Sequence, residues 1–195
     1  LLLFSAMRGD CTGTSYIDAT SLKVCHNKRI FDHKVFDGLA ARGKSTMGWF
    51  FGFKLHIVIN NVGHIIDWYV TAGNIDDRKV LNNIITDVYG DLFGDRGYIG
   101  QKYIDELRNS GIRLVTALRS NMKPKLATLD DSQKISKRNL VETVFNMLKN
   151  SCMVDHTRHR SPANFCSHLA AGICFHNLRF IFGKSLGANC LYLNQ

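Results

Sequence analysis

The chain has 195 residues, enough for one domain with a substantial core, and 45% hydrophobic content with only two prolines argues against a disordered tail. A formal net charge of +9 favours a nucleic acid or an anionic surface as partner, although charge alone also fits a merely soluble surface. Six cysteines, at positions 11, 25, 152, 166, 174 and 190, form no C-x-x-C pair, so free thiols in a reducing compartment fit better than a disulfide scaffold. The opening Leu-Leu-Leu-Phe is too short for a signal peptide. The chain starts at Leu1 rather than at a methionine and is expected to be a fragment of a longer protein.

Residues 14–24 alternate in apolar character and are rich in β-branched side chains, which predicts a strand around Asp18. Residues 25–48 are basic, contain glycine and lack periodicity, so they read as an exposed loop with one turn of helix. Residues 49–60 and 64–71 are aromatic and β-branched runs separated by Asn61-Val62-Gly63, which predicts a hairpin. Asp76 and Asp77 then open a helix with Val80, Ile84, Ile85 and Val88 on one face, ended by Gly90. A short strand at 91–95, a helix at 101–109 and a strand at 112–118 follow.

A polar, basic connector at 119–133 leads to helices at 136–150 and 162–182, and the tail 184–195 is expected to be irregular. The last helix is apolar, but a bilayer centre would tolerate Asn164, His168, His176, Asn177 and Arg179 poorly. It is expected to pack on the sheet, with no membrane as partner. The order β, β-hairpin, α, β, α, β predicts an α/β fold, a mixed sheet covered by helices.

Three carboxylates carry the chemistry. Asp18 lies in Tyr16-Ile17-Asp18-Ala19-Thr20, Asp95 in Gly94-Asp95-Arg96-Gly97-Tyr98, and Glu142 one turn into a helical pattern. Brought together, they form a cage of hard oxygen ligands suited to Mg²⁺ or Mn²⁺. Two such ions about 3.5–4 Å apart serve phosphodiester cleavage. Arg138, Glu142 and Lys149 share one helix face, as an ordinary surface ion-pair pattern would also do. His156, Arg158, His159 and Arg160 form a basic cluster fit for phosphates or for solvent. Cys152, His156 and His159, with Cys166 or Cys174, match no trusted zinc spacing. Gly38-x4-Gly43-Lys44-Ser45 imitates a P-loop, but a basic loop precedes it and an aromatic strand follows, so the match is taken as accidental.

The blocks Asp18-Ala19-Thr20, Gly43 to Trp49, Gly52-Phe53-Lys54-Leu55-His56, Gly73 to Arg78, Gly94 to Tyr98 and His156 to Ser161 come in an order that resembles the DDE transposases of bacterial insertion sequences. Around the glutamate, such families show Tyr, Arg, Glu and Lys at fixed spacing. Arg138, Glu142 and Lys149 hold that spacing, while Ile135 stands in the tyrosine position.

The resemblance implies a single RNase H-like catalytic domain over 1–195 with a mixed five-stranded sheet, its N-terminal DNA-binding region lying outside this chain. It implies Asp18, Asp95 and Glu142 as catalytic and metal-ligating residues, with two Mg²⁺ or Mn²⁺ ions per site. It also implies phosphate contacts from Lys44, Arg138, Lys149, His156, Arg158, His159 and Arg160. The implied partner is double-stranded DNA, both element ends and target, handled by a homodimer or higher assembly in the bacterial cytoplasm at the nucleoid. The implied reaction is strand cleavage followed by strand transfer. A nuclease of the same fold that cleaves without joining, and a decayed DNA-binding remnant, remain open alternatives.

Overall fold

A computed structural model describes residues 2–116, 129–155 and 158–185. The elements run α1 (Leu2–Met7), β1 (Thr14–Cys25), β2 (Ala41–Ser45), β3 (Gly48–Asn60), β4 (Ile65–Ala72), α2 (Leu81–Ile84), β5 (Gly90–Gly94), α3 (Gln101–Asn109), β6 (Ile112–Thr116), α4 (Leu129–Ser136), α5 (Asn139–Asn150) and α6 (Pro162–Ser185). The class is α/β, a mixed six-stranded sheet flanked by helices. β3 is antiparallel to β1, and β1, β5 and β6 run parallel. The other edge of β3 carries β4 along Phe53–Ile59 and then β2 along Gly48–Gly52. β2 is a sixth strand, where five were expected.

Alternation along the strands sorts two cores onto the two faces of the sheet. Tyr16, Ile57, Ile59, Ile65 and Phe93 meet α5 through Val141, Val144, Phe145 and Leu148, and α6 through Phe165, Leu169 and Ile173. Their neighbours Ile17, Val58, Ile66 and Leu92 turn the other way, onto Leu81, Ile84, Tyr98 and Leu107. Burial on both faces makes β1 and β5 a stiff platform for any side chain at their ends.

Three sequence expectations are corrected. The loop at 25–48 contains β2, because the open edge of β3 offers hydrogen bonds to a segment with no apolar alternation of its own. The helix expected from Asp76 to Gly90 is a 3₁₀ turn at Asp77–Val80 and the short α2. Val80, Ile84, Ile85 and Val88 are buried as foreseen, but Asn82, Asn83, Thr86 and the β-branched run are weak helix formers, and burial holds them without a long helix. The helix expected at 136–150 is α5, starting at Asn139, and α4 occupies part of the stretch read as a connector; the two are separated where Lys137 and Arg138 donate 3₁₀-type bonds to the Lys134 and Ile135 carbonyls. Residues 117–118, most of the 119–133 connector and the tail from 186 lie outside the described residues.

α6 packs on the sheet as expected, and among the described residues no helix is long and apolar enough to cross a membrane. Its polar residues have structural work. The Asn177 amide accepts from Ile65 N at 2.9 Å and donates to Ile65 O at 2.8 Å, completing the backbone of β4 where its ladder with β3 slips. His176 Nε2 lies 2.8 Å from the Gly63 carbonyl, and burial lowers its pKa to about 4, so it is neutral.

Candidate active site

Parallel pairing of Tyr16 with Phe93 brings Asp95, the first residue past β5, level with Asp18 on β1. Asp18 is partly buried, and its Oδ1 accepts a 2.8 Å bond from the Ala19 amide. Burial is the main force that raises its pKa to about 6. The Ala19 amide and Arg138 oppose the rise, while Asp95 and Asp77 add to it. Asp95 is more open. It takes a hydrogen bond from the Arg96 amide, capping the turn Arg96–Tyr98, and its Oδ1 lies 3.8 Å from Arg138 Nη1. Arg138, at the entrance to α5, is therefore the cation that the two acids share.

α5 is tied to the sheet at both ends of one stripe. Arg138 meets Asp95, and Lys149 Nζ donates to the Ser21 carbonyl at 3.0 Å and pairs with Asp155 at 3.4 Å. Glu142 lies between them, exposed, one turn beyond Arg138. The structure thus brings Asp18 and Asp95 together, and Glu142 is exposed in the first turn of α5. Among the described residues, no three His, Cys, Asp or Glu side chains are grouped to hold a metal ion.

A fourth acid, read in the sequence only as the start of a helix, belongs to this neighbourhood. Asp77 bears on both Asp18 and the buried Tyr98 hydroxyl, whose pKa burial and the acids drive well above its ordinary value. Asp77 is neutralised by Lys54, whose Nζ donates to its Oδ1 and to the Ile75 carbonyl, each at 2.8 Å. The Lys54 and Asp77 blocks signalled family resemblance, but nothing in their spacing announces the pair.

The fit to a hard divalent cation can be judged from this chemistry. Asp18 and Asp95 present carboxylate oxygens, and Arg138 is the cation shared between them among the described residues. A carboxyl held near 6 by burial and by neighbouring acids is one that gains from an added positive charge. The two carboxylates present fit a hard divalent cation.

The basic residues divide. Lys44 on β2, Arg158 and Arg160 are exposed and have no carboxylate partner among the described residues. His159 instead turns inward: its Nε2 lies 3.2 Å from His168 Nδ1 and its ring meets Phe165 edge-on, and burial, then His168, lower its pKa. Lys149 is engaged by the protein itself, through the Ser21 carbonyl and the Asp155 ion pair. His156 lies outside the described residues, and the five described cysteines are free.

This fold is shared with the cryo-EM structure of the piggyBac transposase synaptic complex with hairpin DNA, at TM-score 0.65 and 11% identity over 95% of this chain and 50% of that one. A likeness so remote in sequence shows the fold alone, and the chain spans about half the length of that relative. No curated protein gives a significant match. Residues 8–162, most of the chain, match the family described as Transposase DDE domain, and the protein belongs to that family.

Proposed function

We propose that the chain is the catalytic domain of an insertion-sequence transposase that cuts DNA at the element's ends and joins the freed ends to a target, in a bacterial cytoplasm. The observation that carries this reading is the pairing of Asp18 and Asp95 at one level of adjacent parallel strands, with Asp18 lacking enough positive charge. Asp18, Asp95 and Glu142 are the proposed ligands of two Mg²⁺ or Mn²⁺ ions. When bound, such ions activate a water or a 3′-hydroxyl and stabilise the leaving oxygen.

The protein's own contribution is positional. The two-sided core holds Asp18 and Asp95 in place, and Arg138 brings a positive charge to both. Glu142, one turn from Arg138 on the same stripe, approaches by side-chain rotation. Lys44, Arg158 and Arg160 hold DNA phosphates, joined by Lys149 and by His156. A homodimer or higher assembly would present two such sites to two element ends.

The test is nicking of supercoiled DNA in Mg²⁺ by wild type, Asp18→Asn, Asp95→Asn and Glu142→Gln, each checked for folding by thermal melting. Loss of nicking in all three folded variants is expected. Wild-type nicking that survives Asp95→Asn sinks the site. A joining assay with a pre-cut end then separates a transposase from a nuclease, and absence of wild-type nicking in Mg²⁺ or Mn²⁺ would favour a decayed remnant.

A further inference from the structure

Along the open edge of β3, β4 ends where β2 begins: Ala72 pairs with Phe53, and Ala41 pairs with Gly52, the next residue back. Glycine makes this handover feasible. A Cβ on Gly43 would lie 2.2 Å from the Gly73 carbonyl oxygen, and one on Gly73 would lie 2.7 Å from the Ala41 oxygen. Main chain packs on main chain there, and both glycines line an open cleft of about 520 Å³. The glycine that imitates a P-loop is thus a strand residue with a packing reason.

Trp49 stands on this cleft with 58% of its surface exposed. It is the cross-strand partner of Lys44, whose ammonium lies 5.9 Å from the ring centroid. Two acids also line the cleft, but both are already neutralised. Asp76 is gripped by Arg78 through Nε at 2.9 Å and Nη2 at 2.5 Å, which lowers its pKa to about 2, and Asp77 is paired with Lys54. Arg42 and Lys44 have no carboxylate partner among the described residues, so they are the surplus charge of the cleft. Its far side includes Gly97, two residues past Asp95, and Asp77, which bears on Asp18. The cleft therefore opens beside the paired acids.

We propose that this cleft is a subsite for an unpaired nucleotide of the DNA strand next to the cut, its base stacked on Trp49 and its phosphates on Arg42 and Lys44. An exposed indole beside unpaired cations matches a nucleotide in both of its parts, the flat base and the anionic phosphate. A base inside a duplex offers no free face, so the subsite selects a splayed or single-stranded segment. The inference deepens the DNA-cleaving reading above and rests on it for the nature of the strand.

Trp49 and Trp68 are the two tryptophans, which makes the test spectroscopic. Trp68 packs edge-on against Phe4, away from the cleft, and Trp68→Phe leaves Trp49 as the sole indole reporter. With chelator present and no cutting, a short single-stranded oligonucleotide is expected to quench Trp49 emission, and a blunt duplex of the same sequence is not. By anisotropy of a labelled oligonucleotide, Trp49→Ala should weaken single-strand binding by about 5- to 150-fold, the range of one base–aromatic stack, and leave duplex binding unchanged. Trp49→Phe should restore part of the loss.

Unchanged single-strand affinity in Trp49→Ala, or equal quenching by the blunt duplex, overturns the proposal. Equal quenching by a mononucleotide at the same concentration overturns the assignment to a DNA strand. The two readings fail separately. If stacking is absent while nicking still depends on Asp95, only the subsite falls; if stacking is present while nicking survives Asp95→Asn, only the cleavage site falls.

Discussion

Asp18→Asn gives the sharpest test of the acid pair, through stability rather than catalysis. In the unfolded chain the carboxyl ionises near its ordinary 3.8, and in the fold near 6, mainly because of burial. The folded state thus holds its proton more tightly. The resulting stability is fully present below about pH 4 and is lost as pH rises through about 6. A difference of about two pH units at 1.36 kcal/mol each makes the ionised side chain cost up to about 3 kcal/mol at neutral pH. Asparagine keeps an oxygen for the Ala19 amide and carries no charge.

In chelator at pH 7.5, Asp18→Asn should therefore melt higher than wild type, by roughly 5–10 °C for a domain of this size. The two proteins should coincide near pH 4. Mg²⁺ at a hundred times its Kd adds about 2.7 kcal/mol to the protein that binds it and should close the gap, and at a thousand times its Kd, about 4.1 kcal/mol, it should reverse the order. Differential scanning fluorimetry across pH, with and without Mg²⁺, reads all of this. A variant that melts lower than wild type at pH 7.5 without metal, or a gap independent of pH, would show that Asp18 is a satisfied structural carboxylate and refute the reasoning.

Four further outcomes follow from packing and charge. Gly43→Ala forces a methyl group against the Gly73 carbonyl and should cost about 1–3 kcal/mol or more in urea denaturation, while an unaffected midpoint would show that β2 gives way freely. Asn177→Leu strands the Ile65 amide, while the Ile65 carbonyl keeps its bond from the Gly9 amide, so it should lower stability by about 1–3 kcal/mol without changing DNA affinity. Replacing Arg158 and Arg160 together by Ala should reduce the log–log salt slope of duplex binding by about 1.8, and an intact slope would make them solvated surface. Lys149→Ala, which loses the Ser21 carbonyl and Asp155, should chiefly lower stability, by about 1 kcal/mol, visible in the same melts.

The strands, the hairpin and the two-sided core were legible because they are local. Alternation at Tyr16–Ile17, Ile57–Val58–Ile59 and Leu92–Phe93 assigns each side chain to a face whatever the rest of the chain does. The acids at Asp18 and Asp95 were legible too, at or just beyond strand runs with chemically telling neighbours. Strand β2 was not, since Ala41-Arg42-Gly43-Lys44-Ser45 has no apolar alternation and is a strand only because β3 leaves an edge open. Nor was the Lys54–Asp77 pair, whose members lie 23 residues apart and meet only after β4 turns the chain back. The sequence by itself determined which residues could bear charge at the ends of buried strands. Only the tertiary structure decided which of them converge, because convergence depends on strand order and parallel register, and these are set by hydrogen bonds between segments distant in the chain.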